Sequence, residues 1–248
     1  MHRLKLYGPL VGLMTTILLI CDALAFKVVT IHGYDLAASG LIFPLSFLLA
    51  SIITDVYGFY LAGRIIWVQL LCQALFISII NIFVFLPSPK DSNTTFLYWN
   101  LYHNLWLVLI ASSISVSAAY FINDFIMSKL KIYLSGKYFI VRFLTSNAIG
   151  KAILVSISYP INFYGQYTIT RIAEIAFNTW VFKMIVATIL FPIAIILSNL
   201  IKKIEKLDYF DYGISYNPIH VFKETVSGEN KYRKLNVESW NSESYSNK

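Results

Sequence analysis

Residues 61–86 read LAGRIIWVQLLCQALFISIINIFVFL, and Arg64 is their only ionised side chain. A helix crossing a hydrocarbon core about 30 Å thick needs about 20 predominantly apolar residues. This stretch is therefore predicted to span a bilayer. Five further runs of the same character surround it, so that the predicted spans fall at 8–29, 36–55, 61–86, 102–126, 139–163 and 176–200. The predicted fold class is an all-α integral membrane protein with six transmembrane helices and both termini cytoplasmic. Pro44, Pro160 and Pro192 fall inside spans, where neighbouring helices can satisfy the backbone groups that proline frees.

Composition supports this reading. The chain of 248 residues is 57% hydrophobic and 13% charged, whereas ordinary soluble domains carry about a quarter of charged residues. Of the 33 Asp, Glu, Lys and Arg, 15 lie beyond Leu200. Residues 1–200 are accordingly read as a six-helix transmembrane domain. Residues 201–248 are read as a polar cytoplasmic tail with little structure of its own. Arg3, Lys5, Arg64, Lys129, Lys131, Lys137, Arg142, Lys202, Lys203 and Lys206 fall at one set of span ends, against Lys27, Lys90 and Arg171 at the other. Basic residues concentrate on the cytoplasmic side of membrane proteins, which places both termini there.

Several function classes drop out. The net charge of +7 is spread without a compact basic patch, so direct nucleic-acid binding is not expected. Cys21 and Cys72 lie within apolar runs, and His2, His32, His103 and His220 show no ligand spacing, so no metal site is expected. Asn93-Thr94-Thr95 matches a glycosylation sequon but reads as loop. There is no phosphate-binding Gly-rich loop and no nucleophile–base motif. The chain is not read as an enzyme, and no catalytic residue or cofactor is expected.

What remains is the ionisable residues at membrane depth, each of which costs several kcal/mol unless paired or hydrated. Asp55, Arg64, Asp124 and Arg142 project to the Lys/Arg-rich ends and could form one neutral network there. Asp22, Lys151 and Lys183 lie deeper, with Asn147 one helical turn from Lys151. A pairing of Asp22 with Lys151 would cancel two buried charges. Trp99, Tyr102, Trp106, Tyr164 and Tyr167 read as an interfacial aromatic belt, or in part as faces on which a planar ligand stacks. The substrate or gating candidates are thus Asp22, Asp55, Asp124, Arg142, Asn147, Lys151 and Lys183.

These residues lie in recognisable company. Gly40-Leu41-Ile42-Phe43-Pro44-Leu45-Ser46-Phe47, followed by Thr54-Asp55-Val56-Tyr57-Gly58, resembles the second span and first cytoplasmic turn of the queuosine precursor transporters, also called the vitamin uptake transporter family. Cys21-Asp22-Ala23-Leu24-Ala25-Phe26-Lys27 is similar to its first-span signature. Ala119-Tyr120-Phe121-Ile122-Asn123-Asp124, Arg142 with Ser146, Phe182-Lys183, and Lys202-Lys203-Ile204-Glu205-Lys206-Leu207-Asp208 through Tyr216-Asn217-Pro218 resemble later motifs, so the likeness runs over residues 15–220. It implies a divergent member: a bacterial inner-membrane importer of cyano- or aminomethyl-deazaguanine, or of queuine, for tRNA modification, working by alternating access. Its partners would then be a small planar deazapurine-like substrate and the lipid bilayer, with apolar helix faces left for a homodimer. A carboxylate among Asp22, Asp55 and Asp124 would take the N–H edge of the base. Asn147 or Asn162 would read its carbonyl.

The chain also departs from the family pattern. Ser51 and Leu154 stand where acids are usual, and Asp22 and Lys151 where a neutral amide is common. Two other readings compete. One is a vitamin-type substrate-binding membrane subunit working with a separate ATPase module, for which Gly8 and Gly12 supply small residues at four-residue spacing. The other is an assembly protein whose deep charges only bind helices together.

Overall fold

The computed structural model describes residues 4–24, 27–31, 34–87, 94–103, 105–165, 167–222 and 229–232. Seven helices account for most of them: α1 (Tyr7–Ala23), α2 (Ala38–Tyr57), α3 (Phe59–Phe85), α4 (Thr94–Tyr102), α5 (Leu105–Tyr133), α6 (Phe139–Phe163) and α7 (Ile169–Glu205). Five helical stretches are long and apolar enough to cross a membrane: α2, α3, Phe96–Tyr133, α6 and α7. α1 is a shorter apolar helix of 17 residues. The architecture is that of an all-α, multi-pass membrane protein.

The element boundaries match expectation to within two residues for α2, α3 and α6 and differ elsewhere. The first predicted span runs to residue 29, but α1 ends at Ala23. The β-branched run from Val28 to Ile31 forms β1 (Val28–Ile31), which pairs antiparallel with β2 (Tyr34–Ala37), Val28 opposite Ala37. Branched side chains favour a pleated surface over a helix. His32-Gly33 and the breaker run 88–91 lie outside the described residues, as does Asn93 of the sequon, whose Thr94 and Thr95 open α4. α7 has 37 residues where 25 were expected. At 1.5 Å per residue it is about 55 Å long, more than a hydrocarbon core requires.

α2 is the central helix. Within its most apolar window 72% of residues are buried, against 22% for α7. Phe47, Ile52 and Val56 of α2 meet Met14 and Leu18 of α1, Ala119 and Tyr120 of α5, Phe143 of α6 and Ala194 of α7 in one core. α5 and α6 pack closely where Gly150 removes a side chain. A Cβ there would lie 3.0 Å from the Ala119 carbonyl oxygen and 3.0 Å from the Phe47 ring.

The described part of the segment after α7 packs against the bundle, although its composition suggested little structure of its own. Leu207, Phe210 and Val221 are buried, and residues 207–222 run as a strap across the Lys/Arg-rich helix ends. Backbone carbonyls of the strap receive Arg64 Nε at Val221 (2.7 Å) and Trp67 Nε1 at Pro218 (3.0 Å). The Tyr216 ring packs edge-on against Phe59 and Phe125, each with centroids 5.0 Å apart. Polar residues serve as well as apolar ones here, because the helix ends themselves offer unsatisfied groups.

Two helix starts show this. α1 begins after Leu6 and α3 after Gly58, and neither residue supplies a capping side chain. Remote carboxylates do the work instead. Glu205 of α7 accepts the N–H groups of Lys5 and Leu6 and the hydroxyl of Tyr57. Asp211 of the strap accepts the Phe59 N–H at 3.0 Å and the Ser128 hydroxyl at 2.6 Å. A carboxylate beside a helix N-terminus is also favoured by the helix dipole.

Gly58 makes the second arrangement possible. Its φ is +81° and its ψ 175°, a conformation essentially reserved for glycine. A Cβ at this site would lie 2.6 Å from Asp211 Oδ1. Gly58→Ala is therefore expected to destabilise the protein by about 1–3 kcal/mol and to loosen the strap. Thermal unfolding of the purified protein in detergent would show a lower Tm; an unchanged Tm would mean that Asp211 does not seat at Gly58.

Candidate functional site

The seven candidate residues fall into three groups along the bundle. The first lies at the Lys/Arg-rich ends and centres on Asp55, which the last turn of α2 holds 1% exposed. One carboxylate oxygen pairs with Arg142 Nη1 of α6. The other accepts Lys202 Nζ and Ser198 Oγ of α7, each at 2.7 Å. Lys131 of α5 donates to the Asp55 backbone carbonyl and reaches Asp208 Oδ1 of the strap at 2.7 Å, where Lys202 also binds at 2.9 Å. The remaining Arg142 donors go to the carbonyls of Lys137 and Gly136. Four helices and the strap thus converge on one carboxylate.

This is not the network that the sequence suggested. Arg142 joins Asp55 as expected, but Arg64 turns to Val221 and Asp124 stands apart. Asp124, also 1% exposed, accepts Thr54 Oγ1 at 2.8 Å and Asn123 Nδ2 at 3.1 Å. Among the described residues no basic group lies within ion-pair distance of it. Lys131, Ser198, Lys202 and Asp208 take the places assigned to Arg64 and Asp124. Two signals could have found them: Lys131 follows Asp124 by two helical turns, and Ser198 and Lys202 are four apart on one face.

The second group occupies the middle of the bundle. Asn147 Nδ2 donates to Ser51 Oγ at 3.0 Å, and Asn123 Nδ2 approaches the same oxygen at 3.5 Å. Both amide oxygens are buried without a hydrogen-bond partner among the described residues. Ser51, Asn123 and Asn147 thus bring one hydroxyl and two amides together at this depth.

The third group surrounds a cavity of about 390 Å³ in the half of the bundle away from the Lys/Arg-rich ends, within the usual size range of small-molecule sites. Asp22, Phe43, Ser115, Tyr159, Asn162 and Lys183 are among its lining residues. Asp22 comes from the last turn of α1 and is 4% exposed. Gln73 Nε2 of α3 donates to both its oxygens, at 2.9 and 2.8 Å, and lies 2.7 Å from Ser112 Oγ. Lys183 of α7 is 5% exposed, with its Nζ 5.1 Å from the centroid of the Phe43 ring. Ser115 Oγ is buried and has no hydrogen-bond partner among the described residues. Gln73, Ser112 and Ser115 carried no sequence signal beyond a polar residue within an apolar run.

Asp22 and Lys151 do not form the expected pair. Lys151 Nζ donates instead to the backbone carbonyl of Lys183 at 3.2 Å and lies 5.5 Å from the Phe47 ring centroid. Nor do Asp22 and Lys183 bond each other, although they line the same cavity: neither occurs in an ion pair among the described residues. Trp99 and Tyr102 lie on α4, Trp106 opens α5, Tyr164 follows α6 and Tyr167 precedes α7, and none lines this cavity. A larger groove of about 750 Å³ between α6 and α7 is lined by apolar residues such as Val155, Pro160 and Ile172, without Asp, Glu, Lys or Arg.

Comparison with known families gives a match over residues 37–197, well over half of the chain, to the family described as "Putative vitamin uptake transporter". No curated protein and no solved structure matches the chain.

Removing one member of a buried ion pair leaves its partner uncompensated and costs about 3–5 kcal/mol. Arg142→Ala is therefore expected to lower the Tm in detergent. Asp55→Asn, which leaves Arg142 without a carboxylate and Lys202 with Asp208 alone, should lower it further. Equal or higher Tm values in both variants would show that the Asp55 cluster does not hold the helix ends together.

Proposed function

The chain belongs to the vitamin uptake transporter family, that of the queuosine precursor transporters, and from that premise we propose that it imports a deazaguanine-type precursor of queuosine across a bacterial inner membrane. The observation that carries this reading is the cavity between Asp22 and Lys183. An acid and a base on different helices line one space without bonding each other. A cargo with adjacent N–H donors on one edge and a carbonyl on the next bridges them. Asp22, oriented by Gln73, takes the donors; Lys183 and Asn162 meet the carbonyl; Phe43 and Tyr159 supply ring faces. Asp55 and Asp124 lie nearer the Lys/Arg-rich ends, outside this cavity wall.

Positive-inside orientation puts the Asp55 cluster at the cytoplasmic side and the cavity toward the exterior. The arrangement supports alternating access, with the cavity available from outside while Asp55, Arg142, Lys131 and Lys202 close the inner end. Passage inward then requires these ion pairs to separate, so Arg142 serves as a gate as well as a brace. Asn147, Ser51 and Asn123 lie between the two ends and offer the cargo amide and hydroxyl groups on its way.

Uptake in cells that lack their own queuosine synthesis and precursor import tests the reading. With this chain expressed, feeding a deazaguanine precursor should restore queuosine in tRNA. Lys183→Ala should abolish that restoration, and Arg142→Ala should do the same, while membrane insertion persists. Asp22→Asn should reduce uptake at least about tenfold, since a hydrogen bond to a charged group contributes about 1.5–3 kcal/mol. No restoration by any precursor, despite confirmed insertion, would sink the cargo assignment. Co-purification with an ATPase would instead favour the substrate-binding subunit.

A further inference from the structure

Two lysines meet at the inner edge of the cavity. Lys183 lines it directly. Lys151, fully buried on α6, sits against the Lys183 backbone, with its Nζ 3.2 Å from that carbonyl oxygen. Each ammonium group lies near a phenylalanine ring, Lys183 by Phe43 and Lys151 by Phe47, at 5.1 and 5.5 Å. Among the described residues neither has a carboxylate within ion-pair distance. The acid on the cavity wall is Asp22, whose two oxygens are already engaged by Gln73. On the wall of this space one basic side chain, Lys183, meets one acid, and Lys151 is buried behind Lys183 outside the lining.

Such an imbalance is costly in an apolar interior, and it discriminates between cargoes. A positively charged group brought into the cavity is repelled by both lysines and finds Asp22 partly occupied. A neutral substituent with a lone pair accepts a hydrogen bond from Lys183 and relieves its shortage of acceptors. The buried Ser115 hydroxyl, without a hydrogen-bond partner among the described residues, offers a further bond to either kind of group.

Resting on the cargo reading above, we propose that Lys183 and Lys151 make the cavity selective for a planar base whose ring substituent is uncharged and accepts hydrogen bonds, such as a nitrile, and reject the same base bearing a cationic aminomethyl group. Lys183 provides the bond, and Lys151 provides a second positive charge behind it.

Competition against uptake of radiolabelled cyano-deazaguanine by cells expressing the full chain tests this without altering the protein. Unlabelled cyano-deazaguanine and the neutral hydroxymethyl analogue should compete at similar concentrations. The aminomethyl base, nearly identical in size to the hydroxymethyl analogue, should require at least about a tenfold higher concentration. In Lys151→Gln that gap should narrow several-fold. Equal competition by the aminomethyl and hydroxymethyl bases would overturn the proposal and leave the cargo reading intact. So would a gap unchanged in a well-inserted Lys151→Gln protein. Absence of uptake for every base would instead remove the cargo reading, and this inference with it.

Discussion

A single buried carboxylate, that of Asp55, carries an unusual share of the organisation of this bundle. It sits at the end of the central helix and receives Arg142 from α6 and Lys202 from α7, while Lys131 of α5 holds its backbone. Burying charge is expensive, and the Coulomb gain offsets that cost only when geometry and extra hydrogen bonds are good. Here Ser198 supplies an additional donor, and Asp208 of the strap takes up the surplus positive charge of Lys131 and Lys202. With the strap in place, three cations share two carboxylates instead of one. Its own position depends in turn on Asp211 at the Gly58 turn and on Val221 against Gly63.

The opposite half of the molecule is built on the reverse principle. Asp22 and Lys183 are close enough to share a cavity yet do not satisfy each other, and the Ser115 hydroxyl on its wall has no hydrogen-bond partner among the described residues. Fully paired charges give a rigid closed end, whereas unpaired polar groups around a space leave affinity to be completed by a bound molecule. The import proposed above rests on this contrast between one saturated end and one unsaturated cavity.

Much of this was legible in advance, though unevenly. α2, α3 and α6 could be bounded within two residues because apolar runs with few charges report membrane burial directly. The importance of Asp55 and Arg142 was legible too, because ionised residues at membrane depth are rare. Their partners were not. Lys131 and Lys202 look like ordinary basic residues at helix ends, and Asp208 and Asp211 look like members of a polar tail. Only a fold-back that brings residues 207–222 beneath α2, α3 and α5 turns them into caps and counter-ions. The β1–β2 hairpin was missed because its apolar β-branched residues prolong the hydropathy of α1.

The sequence by itself determined that the chain is helical, membrane-embedded and of one transporter family, since these follow from composition, local periodicity and ordered motifs. Tertiary structure alone decided which charges meet. Asp22 faces Gln73 rather than Lys151, and Asp124 faces Thr54 rather than Arg64. The physical reason is that ion pairing depends on the rotation and depth of whole helices relative to one another. Those are set by packing around Phe47, Tyr120 and Gly150, and spacing along a single chain does not encode them.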